Sequence, residues 1–237
     1  MVLRLRAVSH TRQPPRSDGR TGHGDLVDRL VEQMPAPPRP DLVLMAYAVA
    51  DLTSPKTVVS HLNMVTGGSA HSLALSGQGL GAPFSALRVA DAYERAGRCS
   101  EFLLAVVEQA APAKSGGPTV DSGVLLAFDR SAGFGALATV GCLEKPGELA
   151  DRLAGLRSPG GRLLVVLGPG ADDDVLPGAD MDVHQVPPGS YCTSVWLAVA
   201  KHLAEWQGGY DTVALYDTDQ RSPSYRSYLA VLKGANR

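Results

Sequence analysis

Apolar runs of two kinds alternate along the chain, and they predict strands and helices in turn. The continuous runs at residues 41–47, 101–107 and 163–167 are short enough for strands buried on both faces. Residues 25–34 and 83–97 instead space their apolar side chains three or four positions apart, as an amphipathic helix does. The alternation predicts an α/β fold with helices layered on a largely parallel, buried sheet.

Weaker runs extend this pattern to both ends of the chain. They predict a helix over 195–206 and strands over the ranges 2–8, 72–76, 122–128, 212–216 and 228–232. Connections rich in Pro and Gly separate these elements at 12–24, 35–40, 112–117 and 168–178. A helix, strand, loop, strand order occurs twice, about 110 residues apart, as in a duplicated fold. We therefore expect an N-terminal half over 1–130 and a C-terminal half over 131–237 within one compact domain; a single doubly wound sheet fits the same periodicity.

Composition narrows the classes of protein that fit. The net charge of −2 and the 19 % charged residues give no basic face for nucleic acid or anionic membrane. No apolar segment reaches the length of a membrane span, so we expect a cytoplasmic protein. The cysteines Cys99, Cys142 and Cys192 are odd in number and lack metal-binding spacing, which predicts reduced thiols. The adjacent carboxylates at 172–174 indicate a solvated turn, and no metal is expected.

Five segments carry a resemblance to a known superfamily. They are residues 40–46, 72–81, 86–97, 121–128 and 189–200. Their order, with Ala86-Leu87 inside the first long helix and Gly189 before the second, resembles the ketosynthases of the thiolase superfamily. The resemblance implies thiolase-like duplicated α/β layers around central, mostly parallel sheets, without the insertions that build an acyl tunnel in full-length ketosynthases.

The departures from that pattern concern the catalytic residues. The resemblance places the nucleophile at Leu80, or at Gln78 if the turn holds two extra residues, and neither side chain can attack a thioester. The catalytic histidine would follow strand 163–167, where the chain has Gly168-Pro-Gly170. Ser190 stands where the last motif carries Asn or His. All three catalytic positions are therefore expected to be empty.

An empty nucleophile position resembles chain length factors and the small ketosynthase-like partners of aryl polyene synthases. The resemblance implies a non-condensing subunit in polyketide or fatty-acid-type biosynthesis, paired with an active ketosynthase and its acyl carrier protein. The strand over 72–77 would form the edge of a homodimer or heterodimer. No cofactor is implied beyond the phosphopantetheine arm of the carrier, presented as substrate. Gln78, Gly79 and Leu80 would line the degenerate site, although Gln78 also fits a polar turn.

Other interpretations of single residues stay open. Cys192 begins a predicted helix, where a thiol pKa is lowered, and could serve an acyltransferase or cyclase with His184 or His202 as base; a buried, inert thiol fits equally. A stand-alone homodimer with an acyl or aromatic pocket is a further alternative. His61, Asn63 and Ser190 are additional pocket candidates. The glycines at 77, 79 and 81 are misplaced for a dinucleotide site.

Overall fold

The helices and strands follow the predicted alternation. The structure is a computed structural model that describes residues 3–15, 21–34, 39–51, 57–111, 117–130, 133–143, 148–156, 160–171, 176, 181–221 and 226–234. The strands are β1 (Arg4–Gln13), β2 (Leu42–Ala46), β3 (His71–Leu75), β4 (Glu101–Glu108), β5 (Asp121–Asp129), β6 (Phe134–Leu143), β7 (Leu163–Leu167), β8 (Asp182–Gln185), β9 (Thr212–Asp219) and β10 (Arg226–Lys233). The helices are α1 (His23–Gln33), α2 (Val58–Val65), α3 (Ala82–Arg95), α4 (Glu148–Leu156) and α5 (Ser194–Gly209).

Every strand and helix named from the sequence is present, with shifted ends. The segment 12–24 is not wholly a connection, because β1 continues to Gln13 and α1 begins at His23. Four elements escaped prediction: α2, β6, α4 and β8. Each is short or interrupted by small residues, so its period is weak, and its place is set by packing against neighbours.

The strand order repeats between the two parts of the chain. The order across the sheet is β3-β2-β4-β5-β1-β6-β10-β9-β7-β8, so β1 to β5 and β6 to β10 are arranged alike in mirrored sequence. The pairing repeats as well: β2 is parallel to β3 and β4, and β7 is parallel to β8 and β9. The other adjacent strands are antiparallel. The sheet is therefore mixed, with its parallel pairs confined to the outer strands of each set.

Alternating side chains divide the core into three parts. In β2, Leu42 and Leu44 face a central core that also contains α3 and α5, whereas Val43 faces an outer core with α1 and α2. In β7, Val166 faces the same central core and Val165 faces a second outer core with α4. Because successive strand residues point to opposite faces, each set of strands is covered by helices on both sides. The result is a stack of helices, strands, central helices, strands and helices.

The two central helices begin close to strands of the opposite set. The residues before α3 form a 3₁₀ turn, Gly79–Gly81, that contacts β9, and Gly81 packs against the ring of Tyr228 in β10. The residues before α5 are hydrogen-bonded to Glu108 at the end of β4. Because each central helix begins against strands of the opposite set, the starts of α3 and α5 lie close together. Among the described helices, none has the length and apolarity needed to span a membrane.

Candidate functional site

A cavity of about 810 Å³ opens where the two helix starts meet. It is lined by the residues Pro15, Leu80, Ala111, Gly117, Pro118, Thr119, Pro169, Gly170, Pro188, Gly189, Ser190, Tyr191, Asp217, Thr218, Gln220 and Arg221. This set includes Leu80, the loop at 169–170 and Ser190, the three places where the resemblance puts catalytic residues. The structure thus brings the three predicted positions together around one space, which we call the main cavity.

The start of α3 is closed by Tyr191. The Tyr191 hydroxyl donates a hydrogen bond of 2.8 Å to Asp219 Oδ2. Gly79 has a φ of +52°, and a Cβ there would lie 2.5 Å from the Tyr191 hydroxyl and 2.6 Å from Asp219 Oδ2. Gly79 is therefore required both by its backbone conformation and by the two side chains beside it.

Tyr191 is held as a neutral phenol. Burial, together with the hydrogen bond and the charge of Asp219, raises the pKa of Tyr191 well above its ordinary value. The Arg221 guanidinium lies 4.2 Å from the ring centroid, and its backbone N–H donates to Asp219 Oδ1 at 3.1 Å. With its proton committed to Asp219, the hydroxyl is neither a base nor a nucleophile near neutral pH.

A second buried carboxyl, Asp217, fills the space beside Gly168. Asp217 accepts hydrogen bonds from the backbone N–H of Gly170 at 3.1 Å, the backbone N–H of Thr218 at 2.9 Å and the Ser194 hydroxyl at 3.0 Å. A Cβ at Gly168 would overlap this carboxyl. No histidine can stand at Gly168 while Asp217 keeps this position.

Desolvation dominates the ionisation of Asp217. The residue is completely inaccessible to solvent, and burial raises its pKa to about 7 although three hydrogen bonds favour the charged form. The nearby charge of Asp219 adds to the rise. Near neutral pH, Asp217 therefore exists partly protonated and partly ionised.

A third buried carboxyl, Glu108, holds the segment immediately before α5. Its oxygens accept hydrogen bonds from the backbone N–H groups of Tyr191 and Cys192, at 2.9 and 2.8 Å. The hydroxyls of Thr193 and Ser122 donate to it at 2.7 and 3.0 Å. The two N–H groups belong to the residues just before Thr193, which is the N-cap of α5. Glu108 thus fixes the segment that carries Tyr191.

Cys192 points away from the main cavity. Its Sγ lies 3.7 Å from the carbonyl oxygen of Val107, and the residue is 1 % exposed. Burial, with the charge of Glu108 adding to it, raises the thiol pKa well above its ordinary value. The helix start does not activate the sulfur, because Glu108 already occupies that end of the helix.

The two histidines considered as bases for Cys192 lie in a separate cleft. The rings of His184 and His202 are 4.8 Å apart between centroids, and both lie beside Trp206. No hydrogen bond between described residues joins either imidazole to the Cys192 thiol. Cys192, His184 and His202 are not assembled as a catalytic group in this structure.

The remaining predicted pocket residues lie outside the main cavity. Gln78 is exposed in the turn between Gly77 and Gly79. On α2, His61 Nε2 lies 2.6 Å from Asp28 Oδ1 of α1. The Asn63 amide exchanges two hydrogen bonds with the backbone of Ala70 and so closes the turn before β3. Of the predicted set, Leu80 and Ser190 line the main cavity, with Gly79 directly behind it.

The three buried carboxyls were not predicted from the sequence. Asp217 and Asp219 end a strand in a run of alternating acidic residues, and Glu108 ends another, which is the signal that could have marked them. All three cysteines are free thiols. Within the described residues, no group of three or more His, Cys, Asp or Glu side chains is placed to hold a metal ion. The acidic run at 172–174 lies outside those residues.

The chain has the thiolase-like fold, which combines these layers with the repeated strand order and the paired central helices. No family model matches the sequence, and no curated protein matches it. The solved structures that it resembles share only the fold, since all those compared are below 25 % identical in sequence.

Three of these structures cover nearly the whole chain. ChlB3, described as an acyltransferase, superposes with a TM-score of 0.70 at 14 % identity over 100 % of this chain and 98 % of its own. The 3-oxoacyl-(acyl carrier protein) synthase III of Pseudomonas aeruginosa PAO1 gives a TM-score of 0.68 at 13 % identity, over 100 % and 99 %. A variant of OleA from Xanthomonas campestris gives 0.68 at 8 % identity, over 98 % of both chains.

Proposed function

We propose that this chain is a non-condensing, ketosynthase-like subunit that works beside an active, cysteine-bearing ketosynthase in polyketide or fatty-acid-type biosynthesis. The observation that carries the proposal is the main cavity itself. It lies where the resemblance to ketosynthases puts the active site, and Leu80, Gly170 and Ser190 line it at the positions where the resemblance expects catalytic side chains. The Tyr191 and Asp219 pair closes the start of α3, so no acyl-enzyme forms there.

The cavity supports binding of an acyl group without its transfer. An apolar recess of about 190 Å³ adjoins the main cavity and shares Ala111, Pro118, Tyr191 and Arg221 with it. Its other walls come from 48–50 and 108–110. Apolar walls with few polar groups suit an acyl or aromatic ligand, carried on the phosphopantetheine arm of an acyl carrier protein. By restricting the volume available to the chain, such a subunit would influence product length.

The partner would dock on the edge strand β3. This strand ends the sheet and leaves Leu73 40 % exposed, and the adjoining α2 exposes Met64 by 65 %. An unpaired strand edge with apolar neighbours is a surface that binds another chain. The resemblance to ketosynthases supports pairing of β3 across a two-fold axis, either with an active ketosynthase or with a second copy of this chain.

Co-expression with a ketosynthase from the same gene neighbourhood tests the proposal. We expect a one-to-one complex by light scattering, and we expect Leu73→Glu to abolish it. Val183→Glu is the matched control, because Val183 is 46 % exposed on β8 at the other end of the sheet. A homodimer that ignores the ketosynthase would contradict the proposed work beside an active ketosynthase, and a complex that Leu73→Glu leaves intact would contradict docking on β3.

Acyl transfer is a second candidate, favoured by the Ser194 and Asp217 pair and by the fold that the chain shares with ChlB3. In this reaction, Ser194 Oγ attacks the thioester carbonyl, its proton passes to Asp217, and the thiolate leaves. Incubation with an acyl thioester would then add the acyl mass to the wild type and not to Ser194→Ala. An unchanged mass for both proteins counts against this candidate.

A further inference from the structure

A second cleft lies next to the main cavity and is distinct in chemistry. It encloses about 160 Å³ between β1, β8 and α5, and it shares Ser190 with the main cavity. Its lining residues are Arg12, His184, Gln185, Val186, Pro187, Ser190, Ser194, Leu197, Ala198, Lys201 and His202. We call this the cationic cleft.

The cleft carries positive charge that is not neutralised within it. Arg12 and Lys201 are both charged at neutral pH, and none of the lining residues is Asp or Glu. In the part of the chain that the structure describes, neither Arg12 nor Lys201 forms a salt bridge. The whole chain has a net charge of −2, so this concentration of positive charge is local.

Hydrogen-bond donors accompany the two cations. Burial, and after it the neighbouring His202, lower the pKa of His184, so its neutral ring offers one N–H. The ring of His202 also lines the cleft, and its Nδ1 atom is 3.2 Å from Glu205, which lies outside the lining. The Ser190 hydroxyl has no hydrogen-bond partner among the described residues. The cleft therefore presents a guanidinium, an ammonium, imidazoles and a hydroxyl from three different elements.

We propose that the cationic cleft binds a tetrahedral oxyanion, either inorganic phosphate or the phosphate end of a larger ligand. A guanidinium pairs with two phosphate oxygens at once, and an ammonium supplies a compact charge for a third. Hydroxyl and imidazole donors complete the set. Because Ser190 borders both spaces, one ligand can occupy the main cavity with its organic part and the cleft with its phosphate. This second form of the proposal depends on the proposed function, whereas binding of free phosphate does not.

Calorimetric titration with inorganic phosphate at constant ionic strength tests the cleft. We expect saturable binding at one site, and we expect Arg12→Gln and Lys201→Met each to weaken it about tenfold. Arg88→Gln and Lys233→Met are matched controls, because both residues are exposed, lie outside the cleft lining and change the net charge equally. All four substituted side chains are at the surface, and circular dichroism would verify that the variants are folded.

Titrations with pantetheine and phosphopantetheine distinguish the two forms of the proposal, which are binding of free phosphate and binding of a larger ligand through its phosphate. Phosphopantetheine could bind more tightly than both phosphate and pantetheine, and this difference in affinity could disappear in Lys201→Met. That result supports one ligand that spans the cleft and the main cavity. Phosphate binding that depends on Lys201 but gains nothing from the pantetheine arm supports the oxyanion site alone and counts against the proposed function. The proposal is overturned if neither phosphate nor phosphopantetheine binds saturably. It is also overturned if Arg12→Gln and Lys201→Met bind phosphate as tightly as the wild type does.

Discussion

The hydroxyl of Tyr191 and Oδ2 of Asp219 lie 2.8 Å apart at the first turn before α3. This pair joins the segment before α5 to the end of β9. A phenol and a carboxyl group that are hydrogen-bonded to each other thus lie beside the position that the resemblance assigns to a reactive thiol.

Removing the Tyr191 hydroxyl should lower the stability of the folded protein. In Tyr191→Phe, Asp219 loses its phenolic donor, and we expect a loss of about 1–2 kcal/mol in the free energy of unfolding. Urea denaturation measures this difference. Tyr93→Phe is the control, since the Tyr93 hydroxyl makes no hydrogen bond with a described residue; equal effects of the two substitutions would contradict a special role for the pair.

Thiol labelling should separate the three cysteines by their surroundings. Cys142 is exposed, whereas burial raises the thiol pKa of Cys99 to about 12 and that of buried Cys192 well above its ordinary value. Because the thiolate is the reactive form, we expect iodoacetamide to modify Cys142 at least about tenfold faster than the other two. Mass mapping of the labelled peptides gives the rates, and the fastest labelling at Cys192 would revive it as a nucleophile.

A cysteine introduced at Leu80 provides the complementary measurement. Leu80 lines the main cavity although only 4 % of it is exposed, so Leu80→Cys places a thiol at the cavity wall. We expect this thiol to be alkylated faster than Cys192 but not to be acylated by an acyl thioester, because Tyr191 and Asp219 remain beside it. Formation of an acyl-enzyme by the single variant would show that the site lacks only its sulfur.

Asp217 should make stability depend on pH. Its folded pKa of about 7 exceeds the ordinary value of 3.8, so ionisation penalises the folded state increasingly as pH rises through this window. Asp217→Asn avoids the penalty and can keep all three hydrogen bonds. Relative to wild type, we expect the variant's free energy of unfolding to rise by up to about 4 kcal/mol between pH 4 and pH 7, with no further rise above pH 7.

Denaturation at several pH values measures this effect. Glu32→Gln on the exposed side of α1 serves as the control, and its difference from wild type should not change over the same range. A pH-independent difference for Asp217→Asn would mean that Asp217 is ionised throughout.

Glu108→Gln should loosen the start of α5. The amide keeps one acceptor oxygen but turns its NH₂ toward N–H and hydroxyl donors. We therefore expect urea denaturation to show a loss of about 2–3 kcal/mol in the free energy of unfolding. Glu101→Gln, at the other end of β4, tests the same change outside this network. Equal stability of the Glu108 variant and the wild type would show that these contacts are dispensable.

The sequence predicted the buried strands and long helices because their apolar periods are strong. Val43 and Met45 alternate with Leu44 between two helical layers, so residues 42–46 are apolar throughout. Strand β8 could not be recognised in this way, since its four residues are mostly exposed and depend on pairing with β7.

The site was predictable only where the resemblance supplied a position. Leu80 and Ser190 were located by their distance from Ala86 and Gly189, and both reach the main cavity. Asp217 and Glu108 act through contacts with residues distant in sequence, which no local pattern records. Gln78 was considered because of its turn, but φ values of +72° at Gly77 and +52° at Gly79 project that turn outward to solvent.

The central place of β1 has a consequence for how the protein is made. Arg4 of β1 pairs with Asp129 of β5, and the other neighbour, β6, is synthesised later still. Nearly all of the first repeat must therefore be synthesised before β1 finds a partner. Contacts between such distant parts of a chain slow folding and leave apolar strands open to aggregation.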